Sequence, residues 1–128
     1  MNSTLDTGAL IALERGSRRL RELVARTNAD GGVVTIPCVV LTEWWRAGMS
    51  DKRRREILEP CVLEQTLPRV YMLAGEALGI VDGSTAIDAI VMASAAQRGD
   101  VVYTSDYDDL ERLRTGFFGA VPRILRAG

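Results

Sequence analysis

The hydrophobic positions of this chain alternate between two periods. Short runs rich in β-branched and apolar residues occur at Ser3–Leu5, Val33–Ile36 and Val101–Thr104. The last two are continuous enough to read as strands covered on both faces. Between the runs, apolar residues recur at helical spacing, as with Leu20, Leu23 and Val24 in Ser17–Thr27. The same pattern predicts helices over Thr7–Leu13, Val39–Met49, Asp51–Leu58, Pro68–Leu78, Thr85–Gln97 and Asp106–Leu113. Cys61–Leu63 reads as a short strand, and Val121–Leu125 as a last one entered through Pro122, which suits a sheet edge. Punctuation agrees: Pro68 stands in a first turn, Gly99 at a C-cap, and residues 28–32 and 79–83 form loops. Strands alternating with helices predict an α/β fold with a mainly parallel sheet. Strand order stays open, but such sheets bind ligands beyond the carboxyl ends of their strands.

A length of 128 residues suits one domain over 1–128, with roughly two-thirds of the unfolded surface buried. Apolar residues at 47% and charged residues at 26% exclude a disordered main body. The net charge of −1 offers no global basic field, which argues against a stoichiometric nucleic-acid binder and less against an enzyme with a local patch. Lys52 is the only lysine. Arginine is the better fork for phosphate, although genome composition accounts for the bias equally well. Within Lys52–Arg55 a solvated helix face competes with a phosphate-tracking patch. Cys38 and Cys61 lie in apolar runs and are expected to be buried core thiols.

Histidine is absent. That excludes a histidine acid–base ribonuclease and a Ser-His-Asp triad, and with no CxxC motif it excludes a structural zinc site. No apolar stretch is long enough to span a membrane and the opening MNSTLDTGAL does not look like a leader, so a cytoplasmic protein is expected.

The candidate chemistry lies in four acids. Asp6 directly follows the first predicted strand, and Asp106 lies just past Val101–Thr104. Glu43 and Asp88 fall early in helices, Asp88 among Ala86, Ile87, Ala89, Ile90 and Val91. Each has a plainer explanation. Asp6 and Asp106 fit helix N-caps, Asp88 a first-turn acid after a Thr85 cap, and Glu43 a surface acid paired with Arg46. All four nevertheless fall at one edge of one predicted sheet. Two carboxylates about 4 Å apart repel by about 4 kcal/mol at an effective dielectric of about 20. A divalent cation relieves that, and an all-oxygen set selects Mg²⁺ or Mn²⁺. The predicted reaction is in-line attack of metal-activated water on a phosphodiester, with Asp6, Glu43, Asp88 and Asp106 as the active-site acids.

Four segments carry a family resemblance: LDTGALI from Leu5, LTEW from Leu41, AIDAIVMASA from Ala86 and VYTSDYDDL from Val102. In this order they resemble PIN-domain ribonucleases, specifically VapC-type toxins of bacterial toxin–antitoxin pairs. The resemblance implies a three-layer α/β/α fold and a metal among Asp6, Asp88 and Asp106, with Glu43 completing the quartet. It also implies RNA cleavage, homodimerisation, and inhibition by a cognate antitoxin. Asp109 is a possible further acid and equally a first-turn helix acid. Thr7, Thr104 and Ser105 could steady the acids or touch phosphate, and the motifs do not choose among them. Adjacent Trp44 and Trp45 diverge by about 100° on a helix, so one is expected at a dimer mate, the antitoxin or RNA unless it covers the core edge.

Two other classes compete. A haloacid-dehalogenase-like phosphatase wants a second Asp two residues after the nucleophile, where Gly8 stands; a receiver domain wants a late lysine, which is absent. A degenerate PIN-like module acting by binding alone is the non-enzymatic alternative.

Overall fold

The computed structural model describes residues 1–46 and 49–127. Twelve elements follow in the order β1 (Ser3–Leu5), α1 (Thr7–Glu14), α2 (Arg18–Ala29), β2 (Val34–Pro37), α3 (Val40–Trp44), α4 (Asp51–Leu58), β3 (Val62–Glu64), α5 (Pro68–Ile80), α6 (Ala86–Arg98), β4 (Val101–Thr104), α7 (Tyr107–Gly116) and β5 (Ile124–Arg126). The strands form one all-parallel sheet in the order β3-β2-β1-β4-β5. β1, β2 and β4 are buried throughout, as strands covered on both faces must be, whereas edge strand β3 exposes Val62 and Leu63.

This order explains the layers. From β1 the chain steps outward to β2 and β3, then returns across β1 to β4 and steps outward to β5. Right-handed crossovers in opposite directions place their helices on opposite faces. Accordingly α1 packs with α2, α3 and α4, while α6 packs with α5 and α7. The direction reverses between β1 and β4, so the crevice beyond their carboxyl ends is the topological switch point.

Leu5, Leu10, Ile36, Val91, Met92 and Val102 form the centre of the core. Ala89 to Ala95 of α6 are all buried, so its middle turns are surrounded. Gly99 ends α6 with φ 71°, the left-handed conformation that glycine adopts without a Cβ penalty.

Some boundaries differ from expectation. The helix expected over Val39–Met49 ends at Trp44, and residues 47–48 of that span lie outside the described residues. The backbone departs from helical geometry at Trp45; Trp44 is buried and Trp45 is 50% exposed, and the two rings meet edge to face with centroids 6.0 Å apart. α5 continues through Gly79 to Ile80, where a turn was expected. Packing against α6 outweighs the roughly 1 kcal/mol that a helical glycine costs. Cys38 and Cys61 are half-buried free thiols rather than full core residues. Cys38 follows the buried end of β2, whereas Cys61 lies three residues past the half-buried end of α4. Burial still pushes the Cys61 thiol up to about 11.

Candidate active site

Parallel pairing of β1 with β4 brings two of the acids to neighbouring strand ends. Leu5 is in register with Tyr103, and the Asp6 N–H donates to the Tyr103 carbonyl at 3.3 Å. Asp6 is therefore held at the switch point by backbone, and it is 4% exposed. Its Oδ1 accepts the Ala9 N–H at 2.9 Å, capping α1. Its Oδ2 accepts the Thr104 hydroxyl. The cap explanation and the site explanation thus describe one carboxylate.

Asp106 occupies the N-cap position of α7 but makes no side-chain cap bond, so its carboxylate is left exposed. Its backbone N–H donates to Thr104 Oγ1 at 2.8 Å. Asp88 lies half-buried in the first turn of α6, where its N–H donates to Thr85 Oγ1 at 3.2 Å. Glu43 stands in the first turn of α3, and its Oε1 accepts the Thr7 hydroxyl at 2.7 Å. The expected Arg46 partner is turned elsewhere: its Nε donates to the Glu43 backbone carbonyl at 2.8 Å.

Electrostatics link these positions. Burial raises the Asp6 carboxyl from 3.8 to about 6; Asp88 and Asp106 add to the rise, and the Thr104 and Ala9 hydrogen bonds oppose it. Burial also raises Asp88 to about 6, opposed by Thr85 and increased by repulsion from Asp106, Asp109 and Glu43. Asp106 therefore acts on both Asp6 and Asp88, while Glu43 and Asp109 act on Asp88. Asp109 is also paired with Arg112 at 2.7 Å, and Arg112 donates to the Asp82 carbonyl at 3.1 Å.

The donor set is all oxygen, the chemistry of a hard divalent cation. Among the described residues no group of three or more acidic or cysteine side chains is arranged to hold an ion as it stands. Mg²⁺ binds through one or two carboxylates and keeps several waters, so it does not need a closed cage. Two buried or half-buried carboxyls that resist ionisation through burial, with repulsion from neighbouring acids adding to it, are the groups a cation would relieve. The residues fit such an ion.

Gly8 sets the close approach of α1 to the β4–α7 loop. A Cβ there would collide with the Ser105 side chain and lie 2.9 Å from the Ser105 backbone nitrogen. Thr85 caps α6 as its place before Asp88 suggested, and Gly8, Thr7 and Thr104 are supporting residues to which the motifs gave no single role. Thr7 and Thr104 each stand next to a site acid or two residues from one, which was the available signal. Which hydroxyl reaches which carboxylate depends on strand register.

A family model described as the PIN domain matches residues 4–115. The chain belongs to the PIN-domain family. PIN domains are in general nucleases. Among curated proteins, none matches this PIN domain by sequence at a significant level. Two solved structures are similar in fold. One is PAE2754 from Pyrobaculum aerophilum, at 21% identity and TM-score 0.60, over 88% of this chain and 87% of that one. The other is FitAcB from Neisseria gonorrhoeae, at 19% identity and TM-score 0.62, over 98% of this chain and 96% of that one.

Two further features of this PIN domain bear on the site. The run Lys52–Arg55 is not one solvated face. Lys52 and Arg55 are exposed, but Arg53 donates to the Leu13 carbonyl at 3.2 Å. Arg54 is 7% exposed, donates to the Arg46 carbonyl, and lies 4.3 Å from the centre of the Trp45 ring. Beneath the sheet runs a polar network that sequence reasoning missed. Arg98 bonds Asp100, Thr4 and Ser94 at 2.9–3.0 Å and also pairs with Glu64. Asp100 is fully buried and accepts from Thr4 as well. The network joins α6, which carries Asp88, to β1, which precedes Asp6.

Proposed function

We propose that this PIN domain is a Mg²⁺- or Mn²⁺-dependent endoribonuclease and the toxin of a VapC-type toxin–antitoxin pair. The observation that carries the reading is the gathering of Asp6, Asp88, Asp106 and Glu43 at the β1/β4 switch point, with two of the carboxyls pushed up to about 6. Asp6, Asp88 and Asp106 would hold the cation. When bound, it supplies charge neutralisation at the scissile phosphate and activation of water.

The chain's own residues do the rest. Thr104 orients Asp6 and positions the Asp106 backbone. Thr7 fixes the Glu43 carboxylate, which completes the quartet from the Asp88 side. The half-burial of Asp88 withholds it from bulk water.

A cognate antitoxin binding near the acids and a homodimer complete the proposal. Val62 and Leu63 on edge strand β3, with Leu67, Tyr71 and Met72 at the start of α5, are exposed and would suit a second copy. Among the described residues no helix is long and apolar enough to cross a membrane, and the reading assigns the protein to the cytoplasm.

The test is cleavage of RNA by the purified protein. Mg²⁺ or Mn²⁺ should support it, and excess EDTA or Asp88→Asn should abolish it while the fold persists. Undiminished cleavage after chelation defeats the metal mechanism. Retained RNA binding without cleavage under any divalent ion favours the binding-only alternative.

A further inference from the structure

We infer that Arg15 and Arg46 form a phosphate-positioning subsite that holds the RNA backbone beside the scissile bond; this rests on the nuclease reading above. Two depressions flank the acids. The larger, about 450 Å³, begins at Gly8 and Ser105, next to Asp6 and Asp106. The smaller, about 110 Å³, is lined by Glu43, Arg46, Trp44 and Glu14. Arg15 and Ile11 line both, so the depressions meet at Arg15.

Among the described residues the Arg15 side chain has no hydrogen-bond or ion-pair partner, and it is exposed at the C-cap of α1. Arg46 uses Nε on the Glu43 carbonyl, which leaves its terminal nitrogens for a ligand. Guanidinium forks match phosphate oxygens in pairs. In the same small depression Trp44 is buried and its indole N–H has no acceptor among the described residues. Such an unpaired donor costs stability.

Glu14 and Glu43 disfavour a free anion there. The fork geometry then selects an anion delivered in a polymer whose neighbouring phosphate sits at the acids. The sequence pointed instead to Lys52–Arg55. The structure commits Arg53 and Arg54 to protein partners, whereas Arg15 and Arg46 line the depression that holds Glu43.

The test measures binding of a short labelled single-stranded RNA to the Asp106→Asn protein across a salt series. Arg15→Ala and Arg46→Ala should each weaken binding and reduce the slope of log K against log salt by about 0.7, the value for one phosphate contact on a single strand. Lys52→Ala with Arg55→Ala should leave the slope unchanged. Arg15→Lys should restore the slope without restoring full affinity. With the site acids intact, Arg15→Ala should raise KM and preserve kcat. Unchanged slopes in both arginine variants, or an equal loss in the Lys52/Arg55 variant, overturn the subsite. Wild-type cleavage with unchanged slopes sinks the subsite alone. Altered slopes without cleavage by the wild type sink the nuclease reading alone.

Discussion

The Thr104 hydroxyl donates to Asp6 Oδ2 and accepts the Asp106 backbone N–H at 2.8 Å. One fully buried side chain on β4 thereby ties the acid after β1 to the acid after its own strand. Its hydrogen bond opposes the burial that pushes Asp6 up. Thr104→Val preserves shape but leaves buried polar groups unpaired. It should cost about 1–3 kcal/mol. The pH at which Asp6 ionises should rise, so the rise of cleavage with pH should move upward. A variant that loses stability but keeps the wild-type pH profile would show that Thr104 is structural only.

Asp88 has a folded-state value near 6 against 3.8 when unfolded. Between these values the folded state binds more protons than the unfolded state. Stability of the metal-free protein therefore falls as pH rises from about 4 to about 6 and stays reduced above. Asp88→Asn removes this contribution. Since Asp88 is only half-buried, solvent screening limits the gain at pH 7 to about 1–2 kcal/mol, with little gain near pH 4. Thermal melts at both pH values measure this directly. Unfolding of Asp88→Asn at pH 7 would make Asp88 a structural cap instead.

Gly8→Ala tests the contact between α1 and the β4–α7 loop. The added Cβ meets Ser105 side-chain and backbone atoms closer than ordinary packing allows. Overpacking of this kind costs about 1–3 kcal/mol, and relief by shifting Ser105 would displace Asp106. Cleavage should therefore fall more than stability explains. Ser105→Gly in the same chain should recover part of both, because it removes the side-chain contacts and leaves only the backbone one. Full activity in Gly8→Ala alone would show that Asp106 is placed independently of this contact.

Arg98 neutralises Glu64 and the fully buried Asp100. Arg98→Leu leaves Asp100 uncompensated and should destabilise by about 3–5 kcal/mol, measured by urea unfolding. Replacing Asp100 by Asn in the same chain should recover much of the loss, since the uncompensated charge is gone. Equal instability of the single and double variants would place the cost in lost packing.

Much of the fold was legible because local rules and tertiary packing agreed. Periodicity located all the strands and helices in outline, and Gly99 ended α6 as its φ of 71° requires. The misjudged boundaries lie where tertiary demand overrode local pattern. α3 stopped at Trp44 where a helix to Met49 was expected, and α5 ran on through Gly79. The placement of Asp6 and Asp106 after neighbouring strand ends was legible as well, because residues just past parallel strands lie at one edge. The individual hydrogen bonds were not. Glu43 turned from Arg46 to Thr7, and Thr104 rather than Ser105 met Asp6.

The sequence by itself determined the element types, the parallel α/β class and which carboxylates could share an edge, since spacing and residue chemistry are local properties of the chain. Only the tertiary structure decided that β1 and β4 are neighbours, and that Thr104 reaches Asp6. It also decided that Arg53 and Arg54 are committed while Arg15 lines two depressions. Those outcomes depend on pairing and burial between residues far apart in the chain, which no local pattern encodes.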